Sequence, residues 1–386
     1  MQNVIELLSK LISIPSINPM GRVVEGAPYF EERLTAFLED WLRPLDVELR
    51  RQPVRPEREN LLATYHAPNP TSHILLEVHQ DTVPTDGMVI DPFRPVVEGN
   101  RLYGRGACDN KGPMTAMLLA LKRLSEERPA GSASVTLALT VDEEHTFMGA
   151  SELVRSGMNY DVAVVAEPTG LDIVVAHKGI VRWEIHTPGV ACHSSAPERG
   201  VNAVYRMAPV LSRIARYAEE LNRRRKDPML GGPTISVGRI DGGTCVNVVP
   251  DFCRIEIDRR LIPGETPDEA YRDANDFIRA GEGIDFPLDC RPPWIHLGPM
   301  GNDKNGSLTE AFGRSVDRFR SQHEVIAVPF GTDAAVFAFA GVPSIVFGPG
   351  GIAQAHTKDE WVPLDEIGVA TEILFDFCAR GGVVMN

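Results

Sequence analysis

Residues 74–81 read I-L-L-E-V-H-Q-D, a short and mostly apolar run that stops at a histidine and an aspartate two positions apart. A run of this length with polar punctuation reads as a buried strand. The figure recurs at residues 134–141, which lead into D-E-E at 142–144, and at residues 162–166, which lead into E-P-T at 167–169. Helical patterns fall between them, over residues 113–124 and near residues 150–155. Strands alternating with helices predict a largely parallel sheet covered by helices. Such sheets keep their sites at the C-terminal ends of the strands, where His79, Glu144 and Glu167 stand.

Past Gly179 the pattern changes. Residues 181–186 alternate as a half-buried strand, a helix of some twenty residues covers 201–222, and further strands are expected over 234–240 and 252–261. A second helix is expected over 266–280, and Pro292 and Pro293 mark the return. The first pattern resumes near Gly306 and ends with a strand over 344–347, a glycine-rich turn to His356 and a closing helix over 364–379. The expected fold is α/β, with a mixed, largely parallel sheet in a discontinuous domain of residues 1–179 and 294–386. A smaller α+β domain, residues 180–293, is inserted into it. Two domains also suit 386 residues, more than one hydrophobic core usually serves.

Composition narrows the class. With 43% hydrophobic and 24% charged residues the chain is an ordinary globular protein. A net charge of -14 argues against nucleic acid or an anionic membrane as the main partner. The basic run from Arg223 to Lys226 reads as the solvated C-terminal end of a helix. Six cysteines without C-x-x-C spacing indicate neither a disulfide framework nor a zinc ribbon, and fit a reducing cytoplasm. Residues 1–14 carry Glu6 inside an apolar pattern and read as an amphipathic helix, and no stretch has the roughly 18 consecutive apolar residues of a membrane span.

Five residues in strand-end contexts carry the chemistry: His79 in H-Q-D, Asp109 in G-R-G-A-C-D-N-K-G, Glu144 in D-E-E, Glu167 in A-E-P-T and His356 in A-Q-A-H. They are the expected ligands of two divalent ions about 3.5–4 Å apart that share one carboxylate. Asp81, two residues beyond His79, is placed to hold the second nitrogen of that imidazole. Gly104, Gly106 and Gly112 let the backbone around Asp109 approach a ligand closely. A dinucleotide loop is the rival there, but the third glycine of that pattern is missing. Adjacent Glu143 and Glu144 would be a solvated turn in most proteins. Here, with Glu144 as a ligand, Glu143 is left free to take a proton from water and return it to a leaving amine. His145 is expected to turn away. Cys192 and His193 are neighbours in an extended segment and so face opposite ways, and Ser194 and Ser195 lack the elbow that exposes a hydrolase serine.

These motifs, in this order along nearly the whole chain from S-I-N-P at 16–19 to A-H at 355–356, resemble the dinuclear zinc metallopeptidase group. That group contains aminoacylases, acetylornithine deacetylase, succinyl-diaminopimelate desuccinylase and glutamate carboxypeptidases. The resemblance implies two zinc ions, with cobalt able to substitute, bridged by Asp109. His79 and Glu167 would complete one site, and Glu144 and His356 the other. It makes Glu143 the general acid/base and Asp81 the partner of a ligand. It also makes the inserted domain a lid and dimerisation surface. In C-H-S-S-A-P-E-R-G-V-N-A (192–203) the histidine, His193, would steady the oxyanion. Asn247 in N-V-V-P, Arg259 in D-R-R-L-I-P, Lys178 in H-K-G, and Gly331 and Thr332 in F-G-T-D would meet the substrate, Arg259 through a bidentate grip on a carboxylate. A-H-K-G, the His193 segment and G-P-G-G-I-A-Q-A-H-T-K-D-E (348–360) look most like acetylornithine deacetylase, a role in arginine biosynthesis. The implied reaction is hydrolysis of an N-acyl amino acid by a cytoplasmic homodimer. A dipeptidase or carboxypeptidase using the same metals, and a relative that kept the fold and lost the chemistry, stand as alternatives.

Overall fold

In the computed structural model, which describes residues 1–157 and 159–383, the opening run is the strand His73–His79. It lies at the middle of an eight-stranded sheet ordered Glu48–Arg55, Arg58–Tyr65, Ser134–Thr140, His73–His79, Val162–Val165, Ser344–Val346, Ile173–His177, Val325–Val328. Ser134–Thr140, His73–His79, Val162–Val165 and Ser344–Val346 run parallel to one another. Glu48–Arg55 and Arg58–Tyr65 continue the sheet antiparallel, and so does Ile173–His177. The parallel strands are apolar on both faces because both are covered. Ile74, Leu76, Val78, Val135, Leu137 and Leu139 share one core with Met117, Leu121, Ile373 and Phe377 from the helices Lys111–Glu127 and Leu364–Ala379. Leu75, Ala138 and Ala163 point the other way and are equally buried. Phe312 stacks edge-on against Phe347 and Phe377, with centroids 4.8 and 5.0 Å apart. A separate ribbon joins Trp361–Pro363 to Arg101–Tyr103 and Val96–Glu98.

The chain divides into two units: residues 1–175, 301–327 and 332–386 form the larger, and residues 176–300 with 328–331 the smaller. The smaller unit is an antiparallel sheet of Thr234–Gly242, Phe252–Leu261, Gly179–Pro188, Asp289–Cys290 and Ile295–Leu297. One face carries the helices Ala203–Arg223 and Pro267–Arg279. Met207, Val210, Ile214, Tyr217 and Leu221 recur at three and four residues, which puts them in one buried stripe against Trp183, Ile185, Ile255 and Ile257. Asn202 caps the long helix through the Tyr205 N–H, and Thr266 caps the second through the Glu269 N–H. The basic run begins at the last residue of the long helix, with Arg224 paired to Asp273. Trp183 is fully buried and donates to Asn275 Oδ1 at 3.2 Å. Trp183→Ala is expected to lower the stability of this unit by about 3–5 kcal/mol through the cavity it opens. Urea titration followed by circular dichroism would show it, and an unmoved transition would refute it. No helix among the described residues is long and apolar enough to cross a membrane.

Candidate metal centre

Three parallel strands of the larger unit lead into a predicted ligand at their C-terminal ends. His79 closes the strand His73–His79, Glu167 follows Val162–Val165 by two residues, and Glu144 follows Ser134–Thr140 across a turn in which Asp142 takes φ +69°. Asp109 stands just ahead of the helix Lys111–Glu127, and His356 lies in the loop after Ser344–Val346. Ligand atoms of His79, Asp109 and Glu167 lie within 4.8 Å of one another, and so do those of Asp109, Glu144 and His356. Asp109 is common to both trios and turns one oxygen to each: Oδ1 is 3.1 Å from His79 Nε2, and Oδ2 is 3.2 Å from His356 Nε2. His356 Nε2 is also 3.2 Å from Glu144 Oε1, and His79 Nε2 is 3.7 Å from Glu167 Oε1.

These residues fit divalent cations. His79 Nε2 and Asp109 Oδ1 are buried side by side, yet neither has a hydrogen-bond partner among the described residues. Buried polar atoms without partners are rare and costly. Two such atoms facing each other, with carboxylates around them, are the donors a cation would satisfy. The electrostatics agree. Burial and the charge of Asp109 raise the carboxyl groups of Glu144 and Glu167, and burial with the charge of Glu167 raises that of Glu143. Burial alone would depress the two imidazoles. The neighbouring carboxylates of Asp109 and Asp81 instead hold His79 well above its usual range, and those of Asp109 and Glu144 push His356 up to about 11. Ionising all of these buried carboxyl groups together would leave more negative charge than the imidazoles balance, which a hard or borderline cation would relieve.

The turn that carries Glu143 and Glu144 is fixed from behind. Asp81 Oδ1 accepts from the Glu143 N–H and Oδ2 from the Glu144 N–H, each at 3.2 Å. Despite burial, His79, Arg58 and Asn18 hold Asp81 at about 2. It is the backbone carbonyl of Asp81, at 3.0 Å, that meets His79 Nδ1, whereas the carboxylate is 3.7 Å away. Asn18 Nδ2 donates to Asp81 Oδ2 at 2.7 Å and to Asp142 Oδ1 at 3.0 Å, and the buried Arg58 guanidinium joins Asp142 to Glu31. Arg58→Met would leave Glu31 and Asp142 buried without their cation, at a cost of about 3–5 kcal/mol. A thermal midpoint within a degree of wild type would refute that. Asn110 Nδ2 donates to the Ala166 carbonyl at 2.6 Å, tying the Asp109 segment to that of Glu167. Buried Lys111 donates to the carbonyls of Leu11 and Ile14. Asn18 lies in the S-I-N-P stretch, but nothing in its spacing points to Asp81.

The other candidates lie mostly in the smaller unit. His193 Nδ1 is 2.8 Å from Ser195 Oγ, and the Ser194 N–H donates to the Asn247 carbonyl at 3.0 Å, so the His193 and Asn247 segments run together. Cys192 Sγ contacts the Ala196 carbonyl at 3.4 Å and is not paired with the imidazole. Lys178 Nζ donates to the Gly232 carbonyl at 2.6 Å. Arg259 is fully buried, with its guanidinium on Glu265 and on the Arg260 carbonyl. Its Nε has no hydrogen-bond partner among the described residues. A Cβ at Gly331 would meet Ile180 and Leu297 at 3.0 Å. Thr332, in the larger unit, accepts from the Ala334 N–H at 3.2 Å.

Metal-dependent hydrolases are the class that such an arrangement defines, since one carboxylate serving two donor trios suits paired cations better than any single-ion site. The model of peptidase family M20/M25/M40 matches residues 75–380, and the chain belongs to that family of hydrolases. It is 31% identical over 388 residues to an acetylornithine deacetylase of Edwardsiella ictaluri (strain 93-146), covering 97% of this chain and 98% of the relative. It is also 32% identical to an acetylornithine deacetylase of Myxococcus xanthus, covering 75% of each. Among solved structures it resembles the M20 family metallo-carboxypeptidase Sso-CP2 of Sulfolobus solfataricus, with TM-score 0.82 at 19% identity over 99% of this chain and all of the other. A dinuclear metal binding M20 peptidase of Bacillus subtilis matches with TM-score 0.70 at 17% identity, covering 98% and 97%.

Proposed function

We propose that this hydrolase cleaves the amide bond of an N-acyl amino acid, with N-acetylornithine foremost, and that it works with two zinc ions that cobalt can replace. Asp109 carries the reading, because its two oxygens face two separate donor trios. His79, Asp109 and Glu167 would hold one ion, and Asp109, Glu144 and His356 the other. Bound there, the ions would polarise the amide carbonyl and lower the pKa of water towards neutrality.

The remaining work falls to the chain. Glu143, buried and absent from both trios, is assigned the proton of the attacking water, which its carboxylate then passes to the leaving nitrogen. Asp81 would hold Glu143 and Glu144 in place through their N–H groups. His193 is assigned a hydrogen bond to the oxyanion, and Asn247, Lys178, Gly331 and Thr332 contacts to the substrate. Arg259 is assigned the substrate carboxylate, for which it must present Nε or release Glu265. Exposed Tyr205, Ile240 and Val246 support self-association of the smaller unit into a homodimer. Six free cysteines support a reducing cytoplasm.

Substrate choice is tested on the zinc-loaded protein with N-acetylornithine, N-succinyl-diaminopimelate, other N-acetyl amino acids and dipeptides, each with a chelator control. The expected result is chelator-sensitive release of acetate, fastest from N-acetylornithine. Preference for dipeptides would make the protein a peptidase, and silence across the panel would remove the catalytic reading.

A further inference from the structure

Glu360 is fully buried, and its carboxylate is enclosed by one loop. Oε2 accepts from Arg105 Nη1 at 2.6 Å and from the Gly106 N–H at 2.9 Å. Oε1 accepts from the N–H groups of Cys108 and Asp109, each at 2.9 Å. Converging backbone N–H groups form an anion cradle, and here the chain's own carboxylate fills it. The loop can wrap so closely because of its glycines. Gly106 takes φ +81°, and a Cβ there would meet Thr82 Cγ2 at 2.9 Å. The ribbon fixes the register: Trp361 pairs with Tyr103, and the Gly104 N–H donates to the Glu360 carbonyl at 3.0 Å.

Glu360 thus grips the peptide that bears Asp109 and stands four residues after His356. Asp109 must aim one oxygen at each trio, so a backbone rotation that moves its Cβ would misdirect both. The other ligands of the first trio, His79 and Glu167, are held by the sheet and almost fully buried, whereas the His356 side chain is 49% exposed on a loop. The second trio therefore depends more on the tie at Glu360.

We infer that Glu360 is the positioning residue of the metal centre, joining the shared ligand Asp109 to the His356 segment and setting the affinity of the Asp109, Glu144 and His356 site. The inference rests on the two-metal reading. Groups that orient metal ligands typically account for about 10–100-fold in metal affinity when removed. Glu360→Gln keeps the shape but turns an NH2 group towards N–H donors.

The test is to dialyse zinc-loaded wild type and Glu360→Gln against a graded series of zinc buffers and to count zinc per chain. Wild type is expected to hold two ions. The variant is expected to lose the second at about 10–100-fold higher free zinc while the first shifts by only a few-fold. Its kcat should fall with KM nearly unchanged. Two ions held with wild-type affinity by the variant would overturn the inference alone. A wild type that never exceeds one ion would remove the two-metal reading, and the inference with it. Should Glu360→Gln fail to fold, Glu360→Asp keeps the charge but draws it back by one methylene. The same loss in smaller measure is expected of it, and wild-type affinities for both ions would overturn the inference.

Discussion

Glu143→Gln is expected to keep its full metal content and to lose turnover by about three to four orders of magnitude. The substitution preserves the side-chain shape and the backbone donation to Asp81, so the turn that presents Glu144 should stand. Glu143 belongs to neither donor trio, so the ions keep their ligands. What disappears is the basic oxygen. Positioned proton transfer is worth about 10²–10⁴-fold, and a group that acts on both the water and the leaving nitrogen should fall near the top of that range. Because the loss is confined to the transition state, kcat should carry it while KM stays within a few-fold. Steady-state kinetics with metal analysis on the same preparation decides the matter. Near-normal turnover would take Glu143 out of the mechanism, and loss of an ion would make it a ligand.

How far the sequence reaches is clearest by comparing His79 with Asn18. The parallel strands leave a local trace, an apolar run followed by polar punctuation, because each is buried on both faces and must end at the rim. His79, Glu144 and Glu167 could be placed at strand ends for that reason. Asn18, Arg58, Glu31 and Glu360 leave no such trace. Their partners lie 27 to 255 residues away, and a lone polar residue in a loop or at the start of a strand looks the same whether it faces water or a buried carboxylate. The H-x-D spacing showed that Asp81 lies beside His79, but not that its carbonyl meets the imidazole while its carboxylate holds the next turn. Residues 328–331 of the smaller unit were likewise invisible, since a four-residue return carries no periodicity. Strands 252–261 and 181–186 were legible because their alternation continues over enough residues to separate period 2 from period 3.6.

Asp109→Asn should have the second large effect, and it tests the sharing of one carboxylate directly. Asparagine offers one uncharged acceptor oxygen and an NH2 donor, so it cannot present an anionic oxygen to both His79 and His356. Each trio also loses one negative charge. The expected result is loss of at least one ion per chain, weakened hold on the other, and hydrolysis reduced to background. Folding should survive, since the Asp109 backbone N–H still donates to Glu360 and the helix Lys111–Glu127 begins after it. Thermal unfolding then separates a ligand from a structural residue. A site filled at a thousand times its dissociation constant adds about 4 kcal/mol to stability, so added zinc should raise the wild-type midpoint by several degrees. In the variant that rise should largely vanish, while its metal-free midpoint stays close to that of metal-free wild type. Both oxygens are engaged only if both sites respond. A variant that loses one ion and binds the other with wild-type affinity would assign Asp109 to a single site, and one that keeps both ions and the full thermal shift would exclude it as a ligand.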